Sequence, residues 1–101
     1  MHAESILWFD KALKLDPKDI DSQINKGIAF LRMDEFKEAE KYLKKALKLS
    51  PEDDVTHYNL ALLYYKTEKD KKAQEHCKKA IEINTKEKMY AELLENILKE
   101  L

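Results

Sequence analysis

The stretch Lys11–Asp19 reads KALKLDPKD, Lys45–Asp53 reads KALKLSPED and Lys79–Glu87 reads KAIEINTKE, so that one motif begins at positions 11, 45 and 79 with a constant interval between its copies. A spacing that recurs decides architecture before any single residue does. A unit of this size cannot bury its apolar face alone, so it buries it by stacking on its neighbours. The chain around these stretches is suited to helices and little else. Hydrophobic residues make up 44% and charged residues 39%, with one Gly and two Pro, so β-sheet is not expected. At 101 residues there is room for one domain, and stacking must be efficient to bury enough surface.

Outward from the repeated stretches, the sequence predicts six helices: His2–Leu15, Lys18–Arg32, Glu35–Leu49, Glu52–Lys66, Lys69–Ile83 and Lys86–Leu101. Asp16-Pro17 and Ser50-Pro51 read as an N-cap followed by proline in a first turn, where the missing N–H costs nothing. Asn84-Thr85-Lys86-Glu87 reads as a capping box at the third such start. Short links make successive helices antiparallel. Gly27 and Ala61 are small where a first helix must approach a second, and Ala39 and Ala73 are the matching small residues.

The interval, and the positions inside it, resemble the tetratricopeptide-repeat (TPR) family, whose period is about 34 residues. In Ile20–Asp53, Gly27 and Phe30 fall at the Gly and Tyr of the family's W-x2-L-G-x2-Y stretch, followed by Ala39, Leu43, Ala46 and Pro51 at its Ala, Phe, Ala and Pro. In Asp54–Glu87 the equivalent places hold Leu60, Ala61, Tyr64, Ala73, Cys77 and Ala80, with Thr85 where Pro is usual. Departures are Gln23 and His57 at the Trp place and Lys26 at the Leu place. The resemblance implies an all-α, TPR-type α-solenoid, a right-handed superhelix of antiparallel helix pairs. As one domain it divides into 1–19 as the second helix of a partial repeat, 20–53 and 54–87 as full repeats, and 88–101 as a C-terminal capping helix.

For such a fold the resemblance places the working surface on the concave wall, lined by the first helix of each pair. Here that means Ile24, Asn25, Ile28, Leu31 and Arg32, then Tyr58, Asn59, Leu62, Tyr65 and Lys66, then Met89, Glu92, Leu93 and Asn96. Asn25 and Asn59 recur one repeat apart, suited to an extended peptide backbone, while tyrosines pack on side chains. An equally plain role for the asparagines is to fasten neighbouring helices. Some family members hold a partner's C-terminal carboxylate with a clamp of basic and amide residues. Ile24 and Ile28 stand where Lys and Asn would be needed, Met89 and Leu93 where the last basic pair belongs, and Asn59 alone matches. A peptide or helix of a partner protein, held without a carboxylate clamp, is the expected ligand.

Other functions find little support. The chain has no Gly-rich phosphate loop and no nucleophile motif, so neither an enzyme nor a cofactor is expected. Cys77, the one thiol, stands at a core place, His57 at a helix-packing place, and His76 on the opposite or flanking face of its helix, so no metal set is expected. Nineteen basic and twenty acidic side chains give a net charge of -1, and the lysines of the second helices pair with carboxylates such as Glu40 and Glu75, which argues against nucleic acid. No apolar run is long enough to cross a membrane, the first residues lack a signal peptide's pattern, and a single cysteine fits a reducing compartment, so a cytoplasmic location is expected. The second functional expectation is a self-associating structural unit. The apolar face of the first helix, with Ile6, Trp8 and Phe9, wants a cover, and head-to-tail stacking or helix exchange would make a homo-oligomer. Glu95, at the small-residue contact place of the last helix, opposes that stacking.

Overall fold

The computed structural model describes residues 2–99 and the side chains from Glu4 onward; the expected end of the last helix at Leu101, and the side chain of His2, fall outside the described residues. Six helices follow one another: α1 (His2–Leu15), α2 (Ile20–Arg32), α3 (Phe36–Leu49), α4 (Asp54–Lys66), α5 (Asp70–Ile83) and α6 (Lys88–Lys99). No described residue lies in a strand.

The Pro-containing turns do not cap the helices where the sequence pattern placed the caps. The first-turn N–H groups are met three residues later: Asp19 accepts from the Ser22 N–H at 3.4 Å and Asp53 from the Thr56 N–H at 2.9 Å. Asp16 instead folds the link, its Oδ1 accepting from the Lys18 N–H at 3.1 Å, and Asn84 does the same for Lys86 at 3.3 Å. A side chain two residues ahead of an N–H makes this local turn more readily than a helix cap. The helices therefore begin two residues inside Lys18, Glu52 and Lys86, and one inside Glu35 and Lys69.

Within each repeat the first helix ends the same way. Asp34 (φ 59°) and Glu68 (φ 61°) take the left-handed conformation. The Glu35 N–H donates to Phe30 O at 2.9 Å and the Asp34 N–H to Leu31 O at 3.1 Å, while Lys69 to Tyr64 and Glu68 to Tyr65 repeat the pair at 2.8 and 3.3 Å. These are the two bonds of a Schellman ending, which reverses the chain within three residues and lays the second helix antiparallel on the first. The repeat period is thus written in the backbone as well as in side chains.

The chain divides into two compact units, residues 1–51 and 52–101. In the first, α2 packs on both α1 and α3. Its core is Ile24, Ala29 and Leu31 from α2 with Ala39, Leu43 and Ala46 from α3. Gly27 sits at the closest approach: a Cβ there would lie 2.7 Å from Leu43 Cγ, inside van der Waals contact, so the α2–α3 crossing needs glycine. In the second unit α5 packs on α4 and α6, and α4 also touches α6. Leu60, Ala61, Leu63 and Tyr64 meet a core of Ala73, Cys77 and Ala80, with Tyr90, Leu93 and Ile97 from α6.

Candidate functional site

The α2 residues expected to face a ligand divide by exposure. Asn25 and Arg32 are exposed and Ile28 is half-buried, one turn apart along a single face, as the 3.6-residue repeat requires. Ile24 and Leu31 are buried among the core side chains.

On α4, Tyr58, Leu62 and Tyr65 are half-buried at helical spacing and Lys66 is exposed. Asn59 is buried, and its Nδ2 donates to Val55 O one turn back at 2.9 Å, so its amide serves its own helix. The two asparagines that share a register therefore differ in environment. Tyr65 and Lys66, with Glu68 and Asp70, line a hollow of about 500 Å3 at the α4–α5 turn. Met89 of α6 is half exposed, and Leu93 is buried.

Tyr58 is held by α6. Its ring meets the Tyr90 ring at 5.0 Å between centroids, and the Tyr90 hydroxyl donates to Asp54 Oδ2 at 2.7 Å, where Asn84 Nδ2 also donates at 3.3 Å. Burial acts to raise the Asp54 carboxyl, but the bonds from Tyr90, Asn84 and backbone N–H groups outweigh it and hold the acid below its ordinary value. Burial first, then the adjacent carboxylate, pushes the Tyr90 hydroxyl well above the usual tyrosine range. A proton that stays on Tyr90 keeps this clamp intact at neutral and alkaline pH.

Two groupings escaped the sequence reading. His57 and His76 stack with ring centroids 5.2 Å apart and Nδ1 atoms 3.0 Å apart, and His76 also stacks on Tyr64. The flanking place expected for His76 is in fact turned onto α4. The signal was present in the first repeat, where Phe30 and Tyr42 stack at the positions one period earlier than Tyr64 and His76. Lys26, at the family's Leu place, is buried and donates to Asp10 and, at 3.0 Å, to the Tyr42 hydroxyl.

Cys77 is fully buried and its Sγ donates to Tyr90 O at 3.1 Å. Burial pushes the thiol up to about 11, so thiolate chemistry at neutral pH is suppressed. Among the described residues no three His, Cys, Asp or Glu side chains gather as a metal site, and no helix is long and apolar enough to cross a membrane. On α1, Trp8 is exposed while Ile6 and Phe9 are half-buried.

Helix hairpins repeating at one constant interval, tight at a small residue and closed by the same turn, define a helical-repeat scaffold. The tetratricopeptide-repeat family matches residues 30–97, and the chain belongs to that family. The first TPR of Spaghetti (RPAP3), solved bound to the HSP90 peptide SRMEEVD, has a TM-score of 0.93 at 18% identity, covering 98% of this chain and 79% of that one. A MamA RS-1 ArsTM double mutant has a TM-score of 0.85 at 28% identity, covering 95% of this chain; the chain spans 54% of that structure's length. The all-α solenoid fold of the TPR type is that of both neighbours. No curated protein matches the chain in sequence.

Proposed function

We propose that the chain is a protein-interaction module that holds a peptide or helix of a partner against the ligand-facing sides of its first helices, without a carboxylate clamp and without catalysis. The observation that carries this reading is on α4. Tyr58, Leu62 and Tyr65 stand half-exposed at successive turns, and Tyr58 is oriented by Tyr90. Rigid aromatic side chains give contact area at low entropic cost and are enriched where binding energy concentrates. In the first unit Asn25 and Arg32 stand exposed along one face of α2, and in the second Met89 of α6 is half exposed, positions that suit polar and apolar contacts within each unit. An all-protein partner also fits a net charge of -1, which offers no field for a nucleic-acid backbone.

The neighbour bound to SRMEEVD supplies a direct probe of ligand type. With isoleucines and Met89 and Leu93 at the clamp places, that peptide should bind this chain more weakly than about 1 mM by fluorescence polarisation. A partner recovered with the intact domain should be lost with Tyr58→Ala/Tyr65→Ala, circular dichroism confirming that the variant remains helical. An unchanged set of partners removes this face from consideration.

Self-association through α1 is the second reading, favoured by one feature. Leu7, Trp8 and Leu15 are 63%, 68% and 90% exposed, a larger apolar display than any other described helix makes. Trp8→Lys should lower the mass seen by light scattering across a concentration series. A wild type that stays monomeric at every concentration ends this reading.

A further inference from the structure

On α2, Lys26 and Gln23 lie on roughly the opposite side from Asn25 and Arg32, since each residue advances about 100° around a helix. There α1 and α3 both pack on α2 and, among the described residues, not on each other. The space between them is a cleft of about 500 Å3 within the first unit. That volume lies in the range of about 300–1,000 Å3 that holds small organic ligands.

Leu13 and Pro17 line one wall of the cleft, Tyr42 and Leu49 the other, and α2 the floor. Its charge is one-sided: Lys26, Lys45 and Lys48 face Asp10 alone. Asp10 is already bonded to Lys26, and no ion pair to a described residue occupies Lys45 or Lys48. Two of the three cations, Lys26 and Lys45, also lie over an aromatic ring. The Tyr42 ring has Lys26 Nζ at 4.1 Å and Lys45 Nζ at 5.1 Å from its centroid, so part of the ordering cost of an ion pair is met before a ligand arrives.

We propose that this cleft is a second binding site, specific for a small organic carboxylate with an apolar body. Its anionic end pairs with Lys45 and Lys48, and its body lies between Leu13 and Leu49. The apolar walls disfavour a bare inorganic anion, which would leave them wet, and the unpaired lysines disfavour a neutral ligand. The site is independent of the partner-binding face, because it uses the other side of α2.

The test is a titration of the full chain with naphthalene-1-acetate, followed by 1H–15N correlation spectra. Parallel arms use 2-(1-naphthyl)ethanol, inorganic phosphate and the capped peptide acetyl-Leu-Glu-Leu-amide. Saturable shifts at Leu13, Lys26, Tyr42 and Leu49 are expected with the acid. The alcohol should bind at least tenfold more weakly, and Lys45→Glu/Lys48→Glu should weaken the acid at least tenfold. Both lysines are exposed, so the fold should survive; if spectral dispersion is lost, Lys48→Glu alone serves, with at least threefold weakening expected. Absence of saturable shifts at these residues overturns the proposal. So do an alcohol as tight as the acid, a charge-reversed variant of unchanged affinity, phosphate as effective as the acid, or a peptide that binds more tightly.

Discussion

The two units solve one packing problem with different residues at the same register. Gly27 faces Leu43 in the first; one period on, Ala61 and Cys77 take their places, and both are fully buried. A methyl group gained on the first helix is set against a smaller side chain on the second, so the change on one side of the crossing makes room for the change on the other. The polar positions diverge further. Lys26, with its Asp10 and Tyr42 partners, corresponds to the wholly buried Leu60, and Ile20 corresponds to Asp54 with its Tyr90 and Asn84 partners. Each unit thus carries one polar clamp, in the first on the side of α2 facing α1 and α3, in the second at the start of α4.

The crossing offers the largest effect. Gly27→Ala drives a Cβ against Leu43, and overpacking of this kind costs about 1–3 kcal/mol, more than the gain of up to about 1 kcal/mol from removing a helical glycine. Leu43→Cys alone loses buried volume. Combined, the two recreate the pairing of the second unit, and urea denaturation should show a favourable coupling of about 0.5–3 kcal/mol. Strict additivity would mean that volume is not what the two crossings share.

Acid should separate the units next. Asp54 titrates below its ordinary value in the folded chain, so its contribution is complete above about pH 4 and is lost as pH falls through the folded value. Hydrogen bonds to a charged group are worth about 1.5–3 kcal/mol when buried, and at this half-exposed site on the order of 1 kcal/mol is expected. Asp54→Asn should flatten the stability profile below pH 4. Amide exchange should loosen α4 and α6 before α2, which has Ile20 in that place; equal loosening would remove the clamp from the explanation.

Lys26→Leu transplants the residue of the second unit into the first and should matter less. Asp10 is about half exposed and can return to water, so the cost of leaving it unpaired is small, while leucine recovers apolar burial. The expected change in stability is within about 1 kcal/mol of zero. A loss of several kcal/mol would show that the ion pair, and not apolar volume, holds α1 to α2.

These contrasts also mark how far the sequence could be followed. The period, the six helices and the small residues at the crossings were legible because each is a local pattern repeated at a fixed interval. The caps were misplaced by three residues because Asp16-Pro17 and Asp19 both satisfy the same composition rule, and only geometry shows which oxygen reaches an N–H. Lys26 and His57 looked like departures because their partners lie 16 and 19 residues away on other helices. The residues proposed to face a ligand were legible as helix positions, but their exposure was not. Asn25 and Asn59 share a register, yet the first is exposed and the second bonds its own backbone.

The smallest effect tests the turn that both repeats share. Asp34 and Glu68 hold the same left-handed conformation, which a side chain with a Cβ resists and glycine accepts. Asp adopts that region more readily than Glu, because its short side chain bonds locally. Glu68→Gly should therefore stabilise by about 0.5 kcal/mol after the added flexibility of the unfolded chain is set against the relief, and Asp34→Gly by less. For a chain of this length that is a rise of about 2–4 °C in Tm for Glu68→Gly and close to none for Asp34→Gly. An equal rise at both would show that the backbone alone sets the strain. A fall at position 68 would mean that the glutamate side chain contributes more than its conformation costs.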